Sequence, residues 1–123
     1  MSEGIRPHRK LEVWQKSIEL TETTYKITSL FPKEEVYGLT NQMRRCAVSI
    51  PSNIAEGAAR NSVKEFLQFL GVAQGSLSEL DTQVELAKRL QYLNETDYKN
   101  IVSLMATTFK LISGLVRRLK TAV

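Results

Sequence analysis

From Phe66 to Ala87 the apolar residues keep a spacing of three and four: Phe66, Phe69, Leu70, Ala73, Leu77, Leu80, Val84 and Ala87. A strand alternates with a period of two, so a run of this length and rhythm fits an amphipathic helix. Its start is marked by Ser62-Val63-Lys64-Glu65, a capping box. In such a box the Ser62 hydroxyl accepts from the Glu65 amide and Glu65 reaches back.

Three further segments share the period. The first helix spans about Leu11 to Ser29, with Leu11, Trp14, Ile18, Thr21 and Tyr25 on one line and Val13, Leu20 and Ile27 on a second. Two apolar lines mean a wide buried face. Phe31-Pro32 ends it, because a residue before proline resists the α region. The second helix begins near Glu34–Tyr37, where carboxylates suit the positive end of the helix dipole. Leu39, Met43, Cys46, Ala47, Ile50 and Ile54 trace its stripe, and Pro51 inside it predicts a kink near Ala47–Pro51. Gly57 and Asn61 mark its exit. The fourth helix starts after Tyr92-Leu93 with Asn94 as N-cap, and its stripe runs through Ile101, Leu104, Met105, Thr108, Leu111, Ile112, Leu115 and Leu119.

Six glycines and three prolines are too few for the turns of an all-β fold. Connections of roughly four to eight residues make sequential helices antiparallel. The fold class is therefore all-α, an up-down-up-down four-helix bundle with a kinked second helix. Residues 11–123 form it, and residues 1–10 read as a flexible, untethered segment.

A chain of 123 residues is one domain, and 42% hydrophobic with 24% charged residues excludes a disordered tail. No apolar run approaches the roughly 20 residues of a membrane span. Met1 to Lys10 lacks the apolar stretch of a secretory signal, and a single cysteine fits a reducing compartment. The expectation is a cytoplasmic protein with no membrane partner.

The search for chemistry returns mostly negatives. His8 and Cys46 cannot assemble a metal site, and no Glu-x-x-His pair of a bundle di-metal centre exists. Cys46 lies on an apolar stripe and reads as a buried inert thiol. No phosphate loop is present, and Glu56, Glu65 and Glu79 read as capping and ion-pair residues rather than acid–base groups. No catalytic residue, metal or cofactor is expected.

Two polar features remain. Arg45, Ser49, Asn53, Glu56 and Arg60 line one face of the second helix, and Glu65, Val72, Ser76, Glu79 and Gln83 make a comparable line on the third. In an antiparallel hairpin Arg45 falls opposite Ser76 and Glu79. The pattern predicts an Arg45–Glu79 pair and an Asn53 bond across the interface. The choice is between a polar seam, within the bundle or between subunits, and a solvated face. Gly71, Gly75 and Ser78 form a small-residue line, read as a close backbone approach or as simply tolerated.

Charge is uneven. Seventeen Lys and Arg against thirteen Asp and Glu give +4. The bundle topology gathers Arg6, Arg9, Lys10, Arg60, Lys64, Arg117, Arg118 and Lys120 at one pole, with Glu3, Glu12, Glu56 and Glu65 as its acids. The surplus there equals that of the whole chain. Arg117 and Arg118 also suit the negative end of a helix dipole, so the pole is either dipole compensation or a phosphate-binding surface.

Several segments carry a family resemblance. They are Leu11-Glu12-Val13-Trp14-Gln15-Lys16-Ser17, Phe31-Pro32-Lys33-Glu34-Glu35 with Tyr37-Gly38-Leu39-Thr40, and Lys64-Glu65-Phe66-Leu67 with Gly75-Ser76-Leu77-Ser78-Glu79-Leu80. The most specific is Gln42-Met43-Arg44-Arg45-Cys46-Ala47-Val48-Ser49-Ile50-Pro51-Ser52-Asn53-Ile54-Ala55-Glu56-Gly57. Over about residues 8–120 the chain resembles the four-helix-bundle proteins encoded in intervening sequences of bacterial 23S ribosomal RNA genes. His8 stands where an aromatic residue is common in that family and Cys46 where alanine is. The resemblance implies a homopentamer with a central channel. It also implies similarity to basic accessory proteins of diversity-generating retroelements, which bind nucleic acid and a reverse transcriptase. It supplies no catalytic residues.

Two functions follow as expectations. One is binding of nucleic acid, RNA before DNA, through the basic pole without base specificity. The other is a protein–protein scaffold or accessory subunit, with a reverse transcriptase as an example of its partner.

Overall fold

The computed structural model describes residues 6–122. Four helices carry the fold: α1 (Glu12–Thr28), α2 (Leu39–Ala58), α3 (Val63–Arg89) and α4 (Glu95–Thr121). Short 3-10 turns at Pro7–Lys10 and Lys33–Glu35 precede α1 and α2. There is no strand among the described residues. Each helix packs against two others, α1 on α2 and α4, and α3 on α2 and α4. That closed square is the expected antiparallel bundle.

The stripes read from the sequence are the ones that meet. Leu20, Met43, Ile50, Ile54, Leu70, Leu80, Ile101 and Ile112 are fully buried at the centre. Each contributes roughly 2 kcal/mol of burial free energy, set against the cost of ordering the chain.

The helix ends follow their local chemistry. At α3 the Ser62 hydroxyl accepts from the Glu65 amide at 3.1 Å and donates to the Glu65 carboxylate at 3.1 Å. At α4 the Asn94 side chain accepts from the Asp97 amide at 2.7 Å. Helix α2 begins later than the acidic run suggests. Glu34 and Glu35 lie in the turn before it, and the Glu35 carboxylate reaches forward to accept from the Leu39 amide at 3.0 Å. Gly38 permits this, since a Cβ there would stand 2.7 Å from Glu35 Oε1. Helix α3 ends in a Schellman turn, with Tyr92 N–H on Ala87 O and Gln91 N–H on Lys88 O, both at 2.9 Å. Gln91 takes the left-handed position at φ 64°.

Helix α2 runs unbroken through Pro51. Proline has no N–H, so the Ala47 carbonyl loses its helical donor. Thr21 of α1 compensates in part, its single hydroxyl proton shared between Ala47 O at 3.1 Å and Ser17 O of its own helix at 2.8 Å.

Two expectations are corrected. Within the chain no backbone approaches Gly71 or Gly75: a Cβ at either would meet nothing within 4 Å. The close approach is at Gly57, where a Cβ would lie 2.8 Å from Phe69 Cβ and 2.9 Å from Phe66 Cδ1. The small-residue line on α3 faces outward, whereas Gly57 sits where α2 and α3 converge on their short connection. The segment before α1 is also not untethered over Pro7–Lys10. His8 packs edge-on against Trp14 with ring centroids 4.9 Å apart, and Gln15 donates to Arg9 O at 2.9 Å. Aromatic contact and a backbone bond hold this turn on α1. The remainder of that segment, residues 1–5, lies outside the described residues.

Candidate nucleic-acid interface

The antiparallel square places the start of α1, the end of α2, the start of α3 and the end of α4 at one pole. Arg9 lies over the Trp14 ring, 5.5 Å from its centroid. Arg6 is half-buried beside it, while Lys10 is exposed. Arg60 bonds Glu56 at 2.8 Å and stacks on Phe69 at 4.9 Å, so its charge is already matched. Lys64, Arg117, Arg118 and Lys120 are exposed, and among the described residues none of these four closes an ion pair. The guanidinium groups of Arg117 and Arg118 lie back along α4, both within 4 Å of the point a Cβ on Gly114 would occupy.

His8 adds no charge here at neutral pH. Partial burial holds its pKa below the ordinary 6.5, and Arg9 and Arg6 lower it further. The pole therefore consists of an open cationic part, Lys64 with the α4 end, and a part already engaged with aromatic rings and Glu56. Sequence spacing identified these residues but could not show that Arg60 is paired with Glu56. Its Glu56 partner one turn back was the available signal.

The predicted polar seam forms in part. The Ser49 and Ser76 hydroxyls meet across the α2–α3 interface at 2.8 Å. The Cys46 thiol donates to Ser76 O at 2.9 Å. Burial, then the nearby Glu79 carboxylate, pushes the thiol pKa up to about 12. Asn53 does not bond across directly. Its amide donates to Ser49 O at 2.7 Å and Ser49 Oγ at 3.0 Å, one turn back on its own helix. It reaches α3 only through Ser49.

Arg45 and Glu79 do not pair. Both are exposed, and an exposed ion pair gains about 0–1 kcal/mol against the cost of ordering two long side chains. They line a shared groove of about 420 Å³ instead. Glu56 is drawn to Arg60 rather than into the seam. Sequence reasoning missed the outer wall of this groove, formed by Tyr37, Asn41 and Gln42. The signal was present, since Tyr37, Asn41, Arg45 and Ser49 recur every four residues.

No helix among the described residues is long and apolar enough to cross a membrane. Nor do they contain a cluster of three or more His, Cys, Asp or Glu able to hold a metal ion. A comparison with curated proteins finds no match. Among solved structures the fold is similar to a protein of unknown function from the S23 ribosomal protein family of Bacteroides thetaiotaomicron VPI-5482. The TM-score is 0.79 at 24% identity, over 85% of this chain and 95% of that one. Residues 9–114, nearly the whole bundle, match the family described as 23S rRNA-intervening sequence protein. The length of that match, the four helices and their shared fold place this chain in the 23S rRNA-intervening sequence protein family.

Proposed function

We propose that this protein is a non-catalytic bundle that binds nucleic acid, with RNA as the expected ligand, through its basic pole. The observation that carries this reading is that Lys64, Arg117, Arg118 and Lys120 are exposed and without an ion pair at the pole that also holds Arg6 and Arg9. Phosphates along a backbone meet such a pole without base-specific contacts. Assembly into a homopentamer, which the family resemblance implies, would repeat the pole around a ring and strengthen its field.

The test is the salt dependence of binding to a structured RNA. Affinity should fall steeply as salt rises, with a slope set by the number of phosphates contacted. Replacing Arg117 and Arg118 together by Ala should flatten that slope by about 2. Absence of binding at low salt would sink the proposal.

A second reading has one observation in its favour. Phe109 is 54% exposed at a groove between α3 and α4 that Leu77, Val102 and Met105 also line. An accessory role, docking a protein such as a reverse transcriptase, would use such a face. Co-purification that survives nuclease treatment favours that role.

A further inference from the structure

The groove between α2 and α3 has a closed floor and open walls. Its floor is the Ser49–Ser76 hydroxyl pair with the Cys46 thiol, which donates to the Ser76 backbone carbonyl. Its walls carry Tyr37, Asn41, Gln42, Arg45 and Glu79. Among the described residues the side chains of Tyr37, Asn41, Gln42 and Arg45 make no hydrogen bond, ion pair or ring contact.

Among the tyrosines Tyr37 alone of the described residues is unengaged. Tyr92 and Tyr98 donate their hydroxyls to Glu35 and Glu85, and Tyr25 carries the Arg44 guanidinium over its ring. Tyr37 is left 93% exposed. Arg44, Arg60 and Arg89 each bond a neighbour, whereas Arg45, like Arg117 and Arg118 at the pole, does not. A wet aromatic ring, a free guanidinium, two free amides and a carboxylate thus border one concavity.

Each group has a chemical complement. An aromatic ring takes a flat π face. A guanidinium takes a phosphate. A carboxylate accepts from an amino group, and the amides offer both a donor and an acceptor to a base edge. One small molecule unites these features. We propose that this groove binds a nucleotide whose base bears an exocyclic amino group, with the base on Tyr37, the amino group on Glu79 and the phosphate on Arg45.

The site is distinct from the basic pole. It lies along the first half of α2 and the middle of α3, away from the α2–α3 connection where the pole begins. A single cation lines it, which suits one phosphate rather than a polyanion. The site does not rest on the RNA-binding reading.

The experiment is titration of the full chain with CMP and AMP, followed by backbone amide shifts, with UMP, inorganic phosphate and glycine as comparison probes. CMP and AMP should shift the amides of residues 37–49 and 76–79. Tyr37→Ala should weaken CMP binding about tenfold, from the loss of one stacked base. Arg45→Ala should weaken it similarly, and Glu79→Gln should narrow the gap between CMP and UMP. Arg117→Ala with Arg118→Ala should leave it unchanged, which separates this site from the pole. No shift up to about 10 mM CMP or AMP would overturn the proposal, as would shifts confined to the pole. Equal response to UMP, phosphate or glycine at these residues would overturn the base recognition. The wild-type map decides the matter even where a variant fails to fold.

Discussion

The Thr21 hydroxyl donates to the Ala47 carbonyl across the α1–α2 interface at 3.1 Å. Ala47 is the residue four before Pro51, so this is the carbonyl that the imino acid cannot serve. A side chain from another helix thereby partly offsets a defect in α2, its one proton shared with Ser17 O at 2.8 Å. The helix and its core stripe run on from Ile50 to Ile54 across this site.

Thr21→Val removes the donor at nearly constant volume. It should cost about 1–2 kcal/mol, the price of an unpaired interior carbonyl. Pro51→Ala restores a backbone N–H at the right place. In that background Thr21→Val should cost under about 0.5 kcal/mol, since the carbonyl then has its helical donor. Urea denaturation of the four proteins measures the coupling. Additive effects would show that the two residues are unrelated.

Glycines separate into those the packing demands and those it does not. Gly57→Ala places a methyl within 2.9 Å of both Phe66 and Phe69, and 3.3 Å from the Phe66 carbonyl. That overpacking should destabilise by about 1–3 kcal/mol. Gly71→Ala and Gly75→Ala enter open space and should each stabilise by about 0.5–1 kcal/mol. Gln91 is the converse case, a side chain in the left-handed region at φ 64°. Gln91→Gly should therefore raise stability by about 0.5–1 kcal/mol. Thermal melts of the four variants check both signs together.

The Glu35 carboxylate links the α2 start to Tyr92 just beyond α3, accepting from the Leu39 amide and from the Tyr92 hydroxyl at 2.9 Å. The Leu39 amide first, then Tyr92, lowers the Glu35 pKa below its ordinary value. Unfolded chain then takes up this proton before folded chain does. Its contribution is present above the unfolded pKa and is lost as pH falls through the folded one. Tyr92 is shifted upward, chiefly by its bond to Glu35. Its contribution is present below the unfolded tyrosine pKa and fades as pH rises through the folded one. Melting temperature against pH should fall at both ends. Glu35→Gln should flatten the acid limb and Tyr92→Phe the alkaline limb; parallel profiles for all three proteins would refute the assignment.

Cys46 is held as a thiol by burial and by Glu79, with its pKa pushed up to about 12. A thiolate is the reactive form, so alkylation at pH 8 should be negligible in the folded protein. Labelling should follow global unfolding, its rate rising with urea. Fast labelling without denaturant would mean that the α2–α3 interface opens locally.

The sequence alone determined the number of helices, their order and the faces they bury. Those properties are local: the three-and-four rhythm of Phe66 to Ala87, the Ser62 box and the Asn94 cap each depend on residues within a turn or two. It also placed the cations of the α1 start, the α2 end, the α3 start and the α4 end toward one pole, because short connections make sequential helices antiparallel. Tertiary structure decided which polar groups meet. Arg45 and Glu79 share a register yet stay apart, while Ser49 and Ser76 bond, because short hydroxyls fit the interior of the interface and long charged chains gain little at its edge. Likewise Gly57, not Gly71 or Gly75, marks the close approach of two helices. Spacing places a residue on a face, but only the packed neighbour fixes its distance. The Thr21–Ala47 bond joins residues 26 apart in the chain. No local pattern contains it, since it exists only once two helices have docked.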